Sequence, residues 1–180
     1  MSSERPVLSV WRHPRPEGAA GRCIGARSDL VLHWRRAKRL ARRIQKAARR
    51  ERLPKIVHCS PLRRCAEVGC WLQRWGWQLK QDPTLLELDF GDWDGRPWAQ
   101  IGQAEVDAWV AGFADHAPGG GESLVQLLQR AAAWSPAEGR IVISHGGWML
   151  ARRWCNERGQ VLPTAAEWPA APGYGERWEL

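Results

Sequence analysis

The sequence predicts an α/β fold: a three-layer α/β/α sandwich around a mostly parallel central sheet, with an edge strand at the C-terminus. Two observations carry this. The short apolar runs Val7–Trp11, Ile56–Cys59 and Ile141–Ser144 have the length of buried strands and not of helices. Stretches with helical spacing lie between them, so strand and helix alternate. A chain of 180 residues is enough for one domain with a real core, taken as residues 1–180.

Val7–Trp11 leads into a polar, Gly/Pro-rich stretch over 12–32, which reads as a long functional loop. Ala37, Leu40, Ala41, Ile44, Ala47 and Ala48 then recur at helical spacing, with Arg and Lys on the other face. This pattern predicts an amphipathic helix ending near Leu53-Pro54. Ile56–Cys59 is the second strand. Pro61 suits the first turn of a helix running to about Trp75, with Ser60 as its N-cap. Trp77–Leu79 and Leu85–Leu88 read as short strand or extended pieces, and Phe90–Gly95 as a turn-rich loop. Helices are expected over about 97–114 and 122–134, separated by the His116–Gly121 loop. Ile141–Ser144 is the third buried strand, and His145-Gly146-Gly147 opens a helix to about Asn156. The tail is rich in Pro, Ala and Gly, and Glu176–Leu180 is expected to close the sheet as an edge strand.

Hydrophobic residues make up 44% and charged residues 26%, a globular balance that excludes a disordered chain. The longest apolar runs are a few residues, too short to cross a bilayer. The opening MSSERPVLSVW has no apolar core of signal-peptide length, so the expected location is the cytoplasm. Five cysteines, an odd number without a CxxC pair, read as free thiols packed as small hydrophobes. Thirteen tryptophans are assigned mainly to the core. Trp11, Trp93, Trp98 and Trp148 flank the motifs described below and are candidates to line a pocket, with core packing the preferred reading. The net charge of +8 is local, because residues 35–55 hold eleven Lys/Arg against one acid, Glu51. That helix reads first as a solvated face that keeps the protein soluble. The sharper reading is steering of anionic substrates or weak polyanion binding. No nucleic-acid motif accompanies it, so no specific nucleic-acid partner is expected.

Two buried strands run into a histidine: Val7–Trp11 into Arg12-His13, and Ile141–Ser144 into His145-Gly146-Gly147. The strand between them in sequence ends at Cys59-Ser60, shortly before Arg63 and Arg64. Ligands of open α/β sheets bind outside the carboxyl ends of the strands. Two histidines and at least two arginines are therefore expected to converge on one crevice. Arginine holds phosphate oxygens in a bidentate fork. A neutral imidazole can attack phosphorus and split a hard displacement into two easier steps. The leaving oxygen then needs a proton, which a carboxylic acid with a raised pKa supplies.

These residues resemble the signature blocks of the histidine phosphatase superfamily, which includes the cofactor-dependent phosphoglycerate mutases. Trp11-Arg12-His13-Pro14 is similar to the family's RHG signature. Ser60-Pro61-Leu62-Arg63-Arg64-Cys65 is similar to its S-P-L-x-R-A block, whose register selects Arg64. Leu86 to Gly95 resembles the L-x-E-x-x-x-G-x-W-E-G block, whose first glutamate falls on Glu87, with Glu122, Asp89 and Asp92 as nearby alternatives. Gly120-Gly121-Glu122-Ser123 matches a GGES segment, and Ser144-His145-Gly146-Gly147 the second-histidine block. The resemblance implies a phosphoglycerate mutase-like fold and a metal-independent phosphatase. In it His13 is the nucleophile, Arg12, Arg64 and His145 hold the phosphoryl oxygens with Gly146 beside them, and Glu87 is the general acid and base. No metal or cofactor is implied. The partner expected is a small phosphorylated substrate, with no membrane partner, and the oligomeric state is left open.

Three family positions after the nucleophile differ: Gly, Thr and Asn are replaced by Pro14, Pro16 and Ala19. The Asn phosphate ligand is thus missing, and Arg15, Arg22 or Arg27 are candidates to replace it. The variant, with Cys23-Ile24-Gly25 and Asp29, is similar to α-ribazole phosphatase-like proteins of cobalamin synthesis, which makes α-ribazole 5′-phosphate the candidate substrate. A mutase-like enzyme, a phosphoprotein phosphatase and a non-catalytic phosphate-binding member are the alternatives.

Overall fold

The computed structural model describes residues 7–180. Residues 1–6, on which the expectations about a leader and the start of the domain rest in part, lie outside the described residues. Five strands form one sheet: β1 (Ser9–Arg12), β2 (Ile56–Cys59), β3 (Gln78–Gln81), β4 (Ile141–Ser144) and β5 (Arg177–Glu179). Their order is β3-β2-β4-β1-β5, parallel except for β5, which runs antiparallel to β1. The expected edge strand at the C-terminus is therefore present. Its pairing is extended by reciprocal backbone bonds between Leu8 and Leu180.

The inner strands β1, β2 and β4 are short and largely apolar because both faces are covered, whereas the edge strands β3 and β5 are mostly polar. Side chains alternate between the two covers. Trp11, Val57, Cys59, Ile141 and Ile143 pack under α1 (Trp34–Arg50) and α2 (Arg63–Arg74). Leu8, Val10 and Val142 pack under α4 (Leu124–Ala133) and α5 (Gly146–Arg158). Val142 and Ile143 are fully buried on opposite faces of β4. Burial of each contributes about 1.5–3 kcal/mol, which fixes this strand in the centre. A third cluster of Cys23, Trp93 and Ile101 lies beneath the loops and is packed by α3 (Gln103–Ala111). Among the described residues no helix is long and apolar enough to cross a membrane.

Three local expectations are corrected. Ser60 does not cap α2. The helix starts at Arg63, and its first N–H is bound by Asp29 Oδ1 from the 12–32 loop at 2.7 Å. The bend at Pro61-Leu62 turns the Ser60 hydroxyl toward β4 instead. The helix expected over 97–114 is split at Gly102 into a 3-10 turn, Trp98–Gln100, and α3. Leu85–Leu88 is not a strand: Asp82 caps a 3-10 turn over Pro83–Leu85, and the chain then runs extended through Glu87. The helix expected over 122–134 forms as α4, with Ser123 and Gln126 making a reciprocal capping box.

Candidate active site

The parallel register brings the functional residues together. Arg12 on β1 is paired with Ser144 on the neighbouring β4, so the next residue of each strand, His13 and His145, meet at the carboxyl rim. Their ring centroids lie 5.0 Å apart at 61°. β2 flanks β4 on its other side, with Cys59 opposite Ile143. The following residue, Ser60, brings its hydroxyl to 2.8 Å from His145 Nε2.

The tautomers follow from the partners. His13 Nδ1 lies 2.7 Å from the Pro14 carbonyl, which can only accept. Nδ1 therefore carries the proton, and Nε2 keeps its lone pair. His145 Nδ1 receives Arg64 Nε at 3.2 Å. Arginine can only donate, so His145 carries its proton on Nε2 and gives it to Ser60 Oγ. Burial, with the charges of Arg64 and Arg12, holds His13 well below the usual histidine range, against the opposing pull of the Pro14 carbonyl. Burial and the nearby Arg64 charge do the same to His145. Both rings are thus neutral at neutral pH. Cys65 Sγ lies 3.6 Å from His145 Nε2, and burial raises this thiol far above its ordinary value, so it stays an uncharged neighbour.

Arg64, not Arg63, reaches the histidines. Arg63 is exposed and pairs with Glu67, whereas Arg64 is 1% exposed. It donates to His145, to the Gly25 carbonyl at 2.9 Å and to the Ser28 carbonyl. Three of its five N–H groups are used in this way, which leaves two for a ligand. The loop offering those carbonyls is itself held by Asp94, which accepts from Gly25 N at 3.0 Å, Arg27 N at 2.8 Å and the Ser28 hydroxyl. Arg12 lies between Gly146 and Tyr174. Its Cζ sits 4.1 Å from the Tyr174 ring centroid, and its Nη1 donates to the Pro172 carbonyl at 2.5 Å. A Cβ on Gly146 would come within 3.2 Å of Arg12 Cζ and 3.3 Å of Ala171 Cβ, so either neighbour would have to shift by a few tenths of an ångström to admit it. Tyr174 also approaches the His13 ring, with centroids 5.6 Å apart.

Glu87 lines a cleft together with Arg12, Gly146 and Gly147, whereas His13, Arg64 and His145 are buried and are not among its lining residues. Its Oε2 accepts from Gly147 N at 3.1 Å, and its Oε1 from Leu88 N at 3.0 Å. A Cβ on Gly147 would lie 2.2 Å from Glu87 Oε1. The other nearby carboxylates are engaged elsewhere or face away. Glu122 is bound by Arg130 at 2.7 Å, Asp89 by Arg27 at 2.8 Å, and Asp92 is exposed. Arg130 spans the segment that carries Glu87, donating to the carbonyls of Thr84, Leu86 and Glu87 as well as to Glu122.

The cleft has a volume of about 390 Å³. Arg12, Arg22, Glu87 and Gly146 line it, together with Phe90, Trp98, Trp109, Phe113, Trp168 and Tyr174. Of the four flanking tryptophans, Trp98 lines the cleft, while Trp11, Trp93 and Trp148 are buried in the core. Arg15 is exposed and does not line the cleft; its carbonyl receives Arg36 Nη1 at 2.9 Å. Arg22 lies at the rim, anchored to the Gly95 carbonyl at 2.8 Å. Arg27 is exposed and held by Asp89. Sequence reasoning missed Ser60, Asp94 and Arg130 as contributors, and Pro172 and Tyr174 in the tail. One signal pointed to the tail: Tyr174 is the single tyrosine of the chain, set between two glycines just before the edge strand. Among the described residues no group of three or more His, Cys, Asp or Glu side chains is arranged to hold a metal ion.

The chain is 31% identical over 143 residues to glucosyl-3-phosphoglycerate phosphatase of Mycobacterium tuberculosis, a match covering 69% of this chain and 62% of that protein. The chain thus spans less than two thirds of that relative's length. A native structure of the mycobacterial glucosyl-3-phosphoglycerate phosphatase superposes with a TM-score of 0.69 at 27% identity, covering 95% of this chain and 88% of that one. An Escherichia coli K-12 structure, provisionally assigned as an alpha-ribazole-5′-P phosphatase, has a TM-score of 0.73 at 21% identity over 97% and 89% of the two chains, which bears on the fold alone. The sequence pattern of the histidine phosphatase superfamily (branch 1) matches residues 8–154, and the chain belongs to that superfamily.

Proposed function

We propose that this protein is a phosphomonoesterase that works through a phosphohistidine on His13. The observation that carries the reading is the tautomer of His13. Its Nδ1–H is bound by the Pro14 carbonyl, so the lone pair of Nε2 is free to attack among Arg12, Arg64 and His145. Burial keeps that ring neutral. The side-chain cations and the Nε2–H of His145 balance the charge on the phosphoryl oxygens.

In the first step His13 Nε2 bonds to phosphorus while the bond from phosphorus to the leaving oxygen breaks. Glu87, in its protonated form, gives that oxygen a proton. In the second step a water loses its proton to Glu87 and attacks phosphorus, and the P–N bond breaks to release phosphate. The test is trapping with a radiolabelled phosphomonoester in the presence of chelator. An acid-labile, base-stable label on wild type, absent from His13→Ala, is the expected result. Turnover that persists in His13→Ala would overturn the proposal.

For the leaving group we propose a planar aromatic nucleoside, with α-ribazole 5′-phosphate as the substrate. Six aromatic side chains on the cleft wall support this, and the cations lining the cleft are Arg12 and Arg22. Such a wall suits a flat base better than a sugar acid. Trp98→Ala should lower kcat/KM for α-ribazole 5′-phosphate more than for a small aryl phosphate. An equal loss on both would refute the substrate reading.

A further inference from the structure

The helix α1 carries a charge pattern that works against its own stability. Its seventeen residues include Arg35, Arg36, Lys38, Arg39, Arg42, Arg43, Lys46, Arg49 and Arg50 and no acid. Like charges recur at i,i+4 along it, at 35/39, 38/42, 39/43 and 42/46, and each such pair is unfavourable by about 0.2–0.5 kcal/mol. Arg35 and Arg36 also sit in the first turn, where the helix dipole disfavours cations. Mixed Glu–Lys pairs would give the same solubility without this cost. Among the described residues, Arg35, Arg39, Arg42, Lys46 and Arg49 form no ion pair with a carboxylate. Arg35, Arg39, Arg42 and Lys46 follow one face and line a trough of about 520 Å³ that begins at Trp34. Trp34 is 53% exposed, with Arg35 lying 5.3 Å from its ring centroid. Trp71 of the adjoining α2 is flanked by Lys38 of α1 at 4.7 Å and by Arg74 of its own helix at 5.0 Å.

We infer that this face binds the phosphate backbone of single-stranded nucleic acid without reading its bases. The row from Arg35 to Lys46 is about 17 Å long at 1.5 Å per residue, long enough for several consecutive phosphates. Seven of the nine cations are arginines, which fork onto phosphate oxygens. The exposed indole of Trp34 offers a stacking surface for an unpaired base. A bilayer fits less well, because the apolar stripe of the helix, Ala37, Leu40, Ala41, Ile44 and Ala48, is buried in the core and cannot insert. The site is independent of the cleft and does not rest on the proposed phosphatase reading.

The test is fluorescence anisotropy with a labelled single strand of mixed sequence, titrated over a range of salt, using the full chain. The variant replaces Arg35, Arg39, Arg42 and Lys46 with Gln; all four are exposed, and none touches the cleft. Wild type should bind with a steep salt dependence. The variant should bind at least about tenfold more weakly, with a log–log salt slope shallower by about 3, since each phosphate contact on a single strand contributes about 0.7. The far-UV circular dichroism spectrum and cooperative thermal unfolding of the variant should match wild type, which reports that it is folded. His13→Ala should bind the strand as wild type does. Three results would overturn the inference: no binding by wild type at low salt, binding by the variant equal to wild type, or displacement of the strand by anionic phospholipid vesicles but not by unlabelled oligonucleotide.

Discussion

Gly147→Ala separates the chemistry of this site from its stability. Gly147 stands in the first turn of α5, where its N–H holds Glu87 Oε2 at 3.1 Å. A methyl group there would lie 2.2 Å from Glu87 Oε1 and 3.1 Å from Cδ. The carboxylate is the end of a flexible side chain, so it moves and the backbone stays. Replacing glycine by alanine in a helix is worth about 0.5–1 kcal/mol of added stability, so the variant should melt at or slightly above wild type. Proton transfer from a positioned acid contributes about 10²–10⁴ in rate, or about 2.7–5.5 kcal/mol, and much of that should disappear. The loss should depend on the leaving group. An alkyl phosphate, whose alkoxide needs a proton, should lose 10²-fold or more by this estimate, whereas para-nitrophenyl phosphate should lose far less. The assay is steady-state kcat on the two substrates, with thermal melting alongside. Equal losses on both would refute the role given to Glu87, and so would full activity on the alkyl ester.

Three further outcomes follow from the geometry. Arg130→Ala removes the group that ties Thr84, Leu86, Glu87 and Glu122 together. By chemical denaturation it should lose about 3 kcal/mol, and kcat should fall more than KM changes; Arg130→Lys should restore only part, because lysine cannot fork. Tyr174→Ala removes the ring under Arg12. Inhibition by inorganic phosphate should weaken several-fold, by about 1 kcal/mol, while the melting temperature changes little. The pH dependence of stability has a definite sign, because burial and Arg64 hold His13 and His145 below the ordinary histidine value in the folded protein. As pH falls through that value the unfolded chain takes up protons first, so the contribution is intact above about pH 7 and is lost on acidification. Each histidine should cost on the order of 1 kcal/mol one unit below its ordinary value. Denaturation at pH 7.5 and 5.5 (approximate values) of wild type and of a His13→Gln/His145→Gln variant checks this, with the variant expected to show the smaller change.

Much of this molecule could be read from its sequence. β4 coincides with the run Ile141–Ser144, and β2 with Ile56–Cys59, because a strand covered on both faces is a continuous apolar stretch bounded by loop residues. The meeting of His13 with His145 follows from two parallel neighbours ending in the same residue type. Contributions made by tertiary contact were not legible. Ser60 has the local signature of a helix cap, but Asp29 arrives from a distant loop to do that work. Arg130 has the spacing of an outward-facing helix residue, and nothing local reveals the carbonyls it collects. The tail residues Pro172 and Tyr174 have no periodicity, so only the antiparallel return of β5 beside β1 brings them to Arg12.

The two sides of the cleft are built on different principles. Around the histidines, Asp94, Arg64, Arg130 and the tail make several hydrogen bonds between side chain and backbone, so a substitution there propagates through several partners. The cleft wall is a set of aromatic rings, Phe90, Trp98, Phe113 and Trp168 from loops and short turns and Trp109 from α3, touching one another edge-on or tilted. Exchanging one of those rings alters shape without disturbing a side-chain hydrogen bond of Arg12, His13, Arg64 or His145. Such a scaffold can change its clientele over evolutionary time, or in a directed library at those five positions, while the reacting groups stay as they are.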